Sequence, residues 1–417
     1  MSKVSIIGAY NTRFGAHIDV KDMISFKKKI DTLSFYDLIV EAGQGAIADA
    51  GIDAKDIDAV WIGSCSPSRF VNQEHVAPIA VAIDPSLRFK PMTRTEAACA
   101  SSSLAIYDAM YAIEAGRFRN VLVIGVEKMN LLDTPAMTTA LATCSYWPEE
   151  GAKGATFPGL FAELAKAYAA HHEIPADEFR KQLAHVAALN YRNAAQNPLA
   201  HVQNGPQTAE AILSLPDSGR GSNMMVAAPL RLHDCSLVTD GTAAVVLTST
   251  DNARATRQKV VEIAGIGHSA EYLPLSRREH KWVLEAGKDA VAKAFREAGI
   301  TAASIDIAEV HDCFTIAQLL TTEALGLAED GKSGQDYVAG RFGPDDDRVS
   351  INLSGGLKAK GHPVGATGAS MHALVYKQLM EEPIGAKSSK KIPQVGVTFN
   401  VGGSGVTNAV SVLRRVK

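Results

Sequence analysis

Four stretches of the sequence combine residue types that do chemistry with small residues that let a backbone approach closely. In residues 93–103 (TRTEAACASSS), Cys99 stands just ahead of a run that reads as a helix. Unpaired N–H groups at a helix N-terminus stabilise an anion, so this position favours a thiolate nucleophile and donors for a developing oxyanion. A small packed thiol would give the same pattern when Cys99 is read alone. Residues 353–368 (LSGGLKAKGHPVGATG) hold one imidazole, His362, between Gly361 and Gly365. This loop fits neither the phosphate-loop pattern nor the dinucleotide fingerprint, whereas a fixed His can act as the base for a thiol.

The third stretch, residues 309–318 (EVHDCFTIAQ), places His311 and Cys313 two residues apart, where a strand hands over to a helix. The same tripeptide recurs at His233, Asp234 and Cys235 without the aromatic-then-helix continuation, so it is assigned a structural role. The fourth, residues 396–405 (GVTFNVGGSG), is a strand that runs through Asn400 into Gly402 and further glycines, a turn that exposes backbone N–H groups.

The elements that must position these stretches occur twice, at a spacing near 250 residues. Strands at 4–10 and 260–267 are each followed by a helix, at 37–50 and 282–298, and each helix ends in Ala-Gly-Ile. Glycine at that position permits a left-handed stop. Short strands at 59–63 and 307–310 come next. Helices at 101–115 and 366–380, then strands at 121–126 and 395–399 and at 243–248 and 409–413, complete the parallel. Alternation of this kind predicts two α/β halves with largely parallel sheets buried on both faces. Residues 127–235 have no counterpart in the second half and read as an inserted loop subdomain. Its Lys153, Lys166, Arg180, Lys181, Arg192 and His201 form a modest positive excess that could meet a phosphate-bearing ligand or equally be a solvated helix surface. The halves are then residues 1–126 plus 236–255, and residues 256–417.

Composition narrows the function classes. The 417 residues, 46% hydrophobic and 21% charged, are enough for a large packed core. A net charge of −3 without a polybasic run gives no nucleic-acid surface and no acidic-membrane patch. No run approaches a spanning helix and the first residues are too short an apolar stretch for a signal peptide, which places the chain in the cytoplasm. Five scattered cysteines offer no C-x-x-C pair and no disulfide framework.

Taken together, a nucleophile-type Cys99, then His-Asp-Cys-Phe, Gly-His-Pro-x-Gly-x-Thr-Gly and Asn-x-Gly in that order, resemble the thiolase superfamily over nearly the whole chain. The closest likeness is to its sterol-carrier-protein-2 and archaeal acetyl-CoA acetyltransferase branch, because Asn400 stands where other thiolases have a terminal cysteine and Cys313 supplies a thiol from another loop. The resemblance implies an α/β, duplicated, five-layered αβαβα thiolase fold with an inserted loop domain. It also implies an acyltransferase that interconverts a 3-ketoacyl-CoA plus CoA with two acyl-CoAs. In that scheme Cys99 carries the acyl group, His362 takes its proton, and Cys313 moves the α-proton of the second acyl-CoA. His311 and His362 line one oxyanion site, the backbone N–H groups of Cys99 and Gly402 form the other, and Asn400, Gly361 and Gly365 belong to the supporting loops. No metal and no permanently bound cofactor is implied, coenzyme A entering as substrate. Members are homodimers or homotetramers, and some work with a small OB-fold partner. A ketosynthase-like condensing enzyme is the nearest rival and would lack the thiol of Cys313; a non-catalytic acyl-CoA-binding scaffold is the rival from another class.

Overall fold

In the computed structural model, which describes residues 3–20, 29–389 and 392–417, one ten-stranded sheet passes through both halves of the chain. Residues 1, 2 and 21–28 of the first half and 390 and 391 of the second lie outside the described residues. The first half contributes β1 (Val4–Asn11), β2 (Ala59–Gly63), β3 (Met92–Thr95), β4 (Asn120–Glu127) and β5 (Gly241–Ser249). The second contributes β6 (Val261–Ala270), β7 (Ile307–Val310), β8 (Ser350–Ile351), β9 (Val395–Gly402) and β10 (Thr407–Arg415). Their order in space is β8-β7-β9-β10-β6-β1-β5-β4-β2-β3. Read outward from the central β6-β1 pair, the two halves have the same topology. Even the register shift recurs, between Ile6 and Gly8 in β1 and between Ile263 and Gly265 in β6.

The expectation of largely parallel sheets is corrected. In each half the two outer ladders are parallel and the two inner ones antiparallel. Valine- and isoleucine-rich strands such as β4, buried along its whole length, record cover on both faces and carry no information about direction.

Helices supply that cover. Around the strands lie α1 (Phe35–Ala50), α2 (Ser101–Glu114), α3 (Thr134–Ala142), α4 (Phe157–His171), α5 (Ala176–Ala194), α6 (Glu285–Ala298), α7 (Thr315–Ala324) and α8 (Thr367–Leu379). The caps explain two of them: α1 and α6 both stop at a glycine in the left-handed region, Gly51 (φ 58°) and Gly299 (φ 64°). The predicted start of α6 at 282 moves to Glu285, because the Trp282 ring stacks on His171 of α4 at 4.1 Å and holds that turn out of the helix.

On the outer face of the first half, α1 packs its apolar side on Ile7, Val60, Ile62, Leu122 and Ile124. On the outer face of the second half, α6 lies along β6 and β10. Between the halves run α2 and α8, touching strands of both, with Ile106, Met110, Val123, Val245, Ile263, Val375 and Leu413 in one cluster. Five layers result: α1, first-half strands, α2 with α8, second-half strands, α6. Between β4 and β5 the chain runs through α3, α4 and α5, of which α5 packs on α7 and on the turn at 356–360.

The central helices meet at Gly368, where an added Cβ would lie 2.4 Å from the Ser103 backbone nitrogen. Overpacking against backbone cannot be relieved by a rotamer change. Gly368→Ala should therefore lower the unfolding free energy by about 1–3 kcal/mol, read as a lower denaturant midpoint.

Candidate active site

The loop between β3 and α2 carries Cys99. Ala98, immediately before it, has a positive φ of 50°, and Ser101 fastens the bend by accepting from the Ala97 N–H (2.9 Å) and donating to the Ala98 carbonyl (2.6 Å). Half-buried, Cys99 faces a cavity of about 170 Å³ that Cys313 and His362 also line. Burial, then Cys144, push its thiol well above the ordinary range, against the pull of the Gly403 N–H. Desolvation thus opposes the thiolate expected from the helix terminus and outweighs the nearby amide.

Two imidazoles stand by that sulfur. One ring nitrogen of His311, one of His362 and the Cys99 sulfur all lie within 4.8 Å of one another. The rings meet edge to face, with centroids 5.2 Å apart. Both are held neutral. Burial and then Lys360 bring His362 down to about 3, while burial, His362 and Lys360 bring His311 well below its ordinary value.

Their hydrogen bonds assign opposite tautomers. Thr367 donates its hydroxyl to the Pro363 carbonyl (3.1 Å), so its oxygen accepts from His362 Nδ1–H (2.8 Å) and leaves Nε2 with a free lone pair. Asn400 accepts the Ser103 hydroxyl on Oδ1 (2.9 Å), which turns its amide NH2 toward His311 Nδ1 (3.1 Å). His311 then carries its proton on Nε2, a buried donor without a partner among the described residues. One ring is an acceptor and the other a donor, side by side.

Three buried carboxylates, none singled out by sequence reasoning, fix the loops beneath. Asp312 accepts from the Leu357 and Lys358 N–H groups (2.6 and 3.0 Å) and from Asn190 (2.8 Å). Glu309 accepts from the Ser354 N–H and hydroxyl (3.1 and 2.6 Å). Glu127, the last residue of β4, accepts from the Cys65 and Gly365 N–H groups (2.7 and 3.1 Å), joining a first-half loop to the one that bears His362. An acidic residue closing an otherwise apolar strand, as Glu127 does in NVLVIGVE, was the available signal. Lys360 is buried too, its ammonium donating to Ser370 (2.8 Å).

The remaining sequence candidates are placed as follows. Gly361 takes a φ of 122° against Thr239, and Gly402 closes β9 with its Cα turned to the Ala97 carbonyl. The amide that reaches the Cys99 sulfur belongs to the next residue, Gly403. Burial, then Cys99, raise the Cys313 thiol well above its ordinary value. His233 bonds Tyr191 (2.9 Å) and Asp234 bonds Thr315 (3.0 Å), yet Cys235 lines the cavity and pairs in a β-bridge with Phe314. Cys65 and Cys144 lie with sulfurs 3.3 Å apart, so all five cysteines border one cavity. Of the predicted positive group, Lys181 pairs with Glu178, and the His201 N–H holds the Lys360 carbonyl at 2.9 Å.

Burial raises Glu127 to about 7 from an ordinary 4.5. A carboxyl raised on folding binds more protons in the native state between those values, so its contribution to stability falls as pH rises from 4.5 through 7. Glutamine can accept both N–H groups without the charge. Glu127→Gln should match the parent near pH 5 and gain on it by about 3 kcal/mol by pH 8, measured by chemical unfolding across that range.

Comparison with known proteins agrees with this fold. The family described as "Thiolase, N-terminal domain" matches residues 4–205, and "Thiolase C-terminal domain-like" matches residues 267–415. An "Acetyl-CoA acetyltransferase" of Methanothermobacter thermautotrophicus is 38% identical over 415 residues, covering all of both chains. "Sterol carrier protein 2" of Oryctolagus cuniculus is 27% identical over 404 residues, covering 89% of this chain and 66% of that protein. Among solved structures, the "Ltp2-ChsH2(DUF35) aldolase" superposes with a TM-score of 0.78 at 20% identity, covering 99% of this chain and 97% of that one. Human mitochondrial 3-ketoacyl-CoA thiolase in complex with CoA superposes at 0.70 and 17% identity, covering 100% and 98%. Duplicated halves that together make five layers, paired family matches and 38% identity over the full length agree: this chain is an acyltransferase of the thiolase family, in the branch that includes the archaeal acetyl-CoA acetyltransferases and sterol carrier protein 2.

Proposed function

We propose that Cys99, His311, Cys313 and His362 interconvert a 3-ketoacyl-CoA plus CoA with two acyl-CoAs. The observation that carries this reading is the pair of buried imidazoles within 4.8 Å of the Cys99 sulfur, one bonded to Thr367 and the other to Asn400. Cys99 attacks the thioester carbonyl as His362 Nε2 takes the thiol proton; the carbon–sulfur bond to CoA breaks, and CoA leaves with that proton. A thiol nucleophile suits the step, because the acyl-enzyme is itself a thioester and the cycle runs in both directions. Backbone N–H groups of Cys99 and Gly402, with Gly403 beside the sulfur, bear the oxyanion of the acyl-enzyme step.

In the condensing direction His362 Nε2, neutral again once CoA has left, takes the Cys313 thiol proton as the Cys313 sulfur removes the α-proton of a second acyl-CoA, and His311 Nε2–H faces the enolate oxygen. The carbanion attacks the acyl carbon, a carbon–carbon bond forms, and the Cys99 sulfur leaves and takes its proton from His362, with Cys313 left as a thiol by the α-proton. His362 joins His311 as a donor whenever it holds a proton. Asn400, Gly361 and Gly365 support these groups, and the three carboxylates position their loops.

The division into residues 1–126 plus 236–255, an insertion at 127–235 and residues 256–417 belongs to the same reading, supported by the repeated strand order. So does a homodimer or homotetramer. A small OB-fold partner is supported by the likeness to the "Ltp2-ChsH2(DUF35) aldolase". A cytoplasmic location belongs to the same reading; among the described residues no helix is long and apolar enough to cross a membrane.

Incubation with acetyl-CoA should add one acetyl group, mapped to Cys99 by mass spectrometry and absent from Cys99→Ala. Cys313→Ala should still acylate but lose turnover by at least about 100-fold. Full turnover by that variant would remove Cys313 from its role.

A further inference from the structure

Around the Cys99 sulfur the cavity wall is built of Met129, Met137, Leu141, Phe157, Phe161 and Phe314. The void of about 170 Å³ exceeds what a two-carbon acyl group fills, since an apolar cavity of ~150 Å³ admits benzene. Phe161 and Phe314 lie ring against ring at 4.6 Å, and the methionines of the wall adapt to irregular shapes.

Among the described residues the lining contains no Asp, Glu, Lys or Arg; its titratable groups there are the five cysteines and His362. Glu127, the carboxylate bonded to the Cys65 loop, spends Oε2 on the N–H groups of Cys65 and Gly365 and Oε1 on the Ser64 hydroxyl (3.3 Å). Thr138 on the wall donates its hydroxyl to the Thr134 carbonyl within its own helix (2.8 Å). A carboxylate at the far end of an acyl chain would therefore be desolvated without a cationic partner among the described residues, which is strongly unfavourable.

Resting on the acyl-transfer reading above, we propose that the acyl group carried by Cys99 is uncharged, apolar and of medium size, well beyond acetyl, and that Met137, Leu141 and Phe161 set this preference. The chemistry is thioester exchange: the Cys99 sulfur–acyl bond forms, the acyl–CoA sulfur bond breaks, and CoA departs with the thiol proton. Each methylene moved from water into the cavity is worth roughly fourfold in kcat/KM.

The test measures transfer to Cys99 by mass spectrometry from acetyl-CoA, hexanoyl-CoA and adipoyl-CoA, the last two sharing one chain length and differing in the terminal carboxylate. Hexanoyl transfer should exceed acetyl by at least tenfold in kcat/KM and adipoyl by at least tenfold. Met137→Trp, which fills the void, should lower the hexanoyl-to-acetyl ratio at least tenfold. Equal rates for acetyl and hexanoyl, or for hexanoyl and adipoyl, would overturn the proposal while leaving the acyl-transfer reading intact. No adduct from any of the three donors would overturn that reading itself, and the proposal with it.

Discussion

Desolvation of two imidazoles is the constraint on which the site depends. His311 is buried and His362 nearly so, with the Lys360 ammonium close enough to disfavour a second positive charge, so both rings stay neutral at physiological pH. A neutral imidazole must choose one nitrogen for its proton, and the partners on Nδ1 make that choice. Thr367, giving its hydrogen to Pro363, accepts from His362, and Asn400, its oxygen taken by Ser103, donates to His311. Neutral partners suffice here. A carboxylate in either place would draw a proton onto the ring and erase the difference between them.

That difference decides how the thiol works. With Cys99 pushed up by burial and His362 pushed down, a resting thiolate–imidazolium pair is unfavourable. Proton transfer must accompany attack on the thioester, when charge moves on to the carbonyl oxygen and its donors. The scaffold serves this arrangement from both halves. Cys99 and Ser103 come from the first, His311, Cys313, His362 and Asn400 from the second, and the α2–α8 contact at Gly368 fixes their separation. Where loops rather than helices hold the groups, buried carboxylates accepting backbone N–H bonds take over, with Glu127 spanning the two halves.

Much of the fold was readable before any coordinates. The paired Ala-Gly-Ile helix ends anticipate two left-handed caps, and the recurring strand order anticipates the duplication. Strand direction was not readable, since β4 shows apolar residues on both faces whichever way its neighbours run. The helix start at 282 was misplaced because Trp282 fits a helical period and only its contact with His171 reveals another use. At the site, residue type and glycine context marked Cys99, His362, His311, Cys313 and Asn400. Glu127, Lys360 and Gly403 were passed over, because burial distinguishes a buried charge or an amide near sulfur from any other. Burial likewise reverses the thiol's expected acidity, a balance no local sequence pattern contains.

Neutron diffraction from crystals exchanged into heavy water at pH 7 tests the central claim most directly. Opposite tautomers predict deuterium on Nδ1 but not Nε2 of His362, on Nε2 but not Nδ1 of His311, and on the Cys99 sulfur. Deuterium on both nitrogens of His362, with a bare Cys99 sulfur, would show a pre-formed ion pair and contradict it.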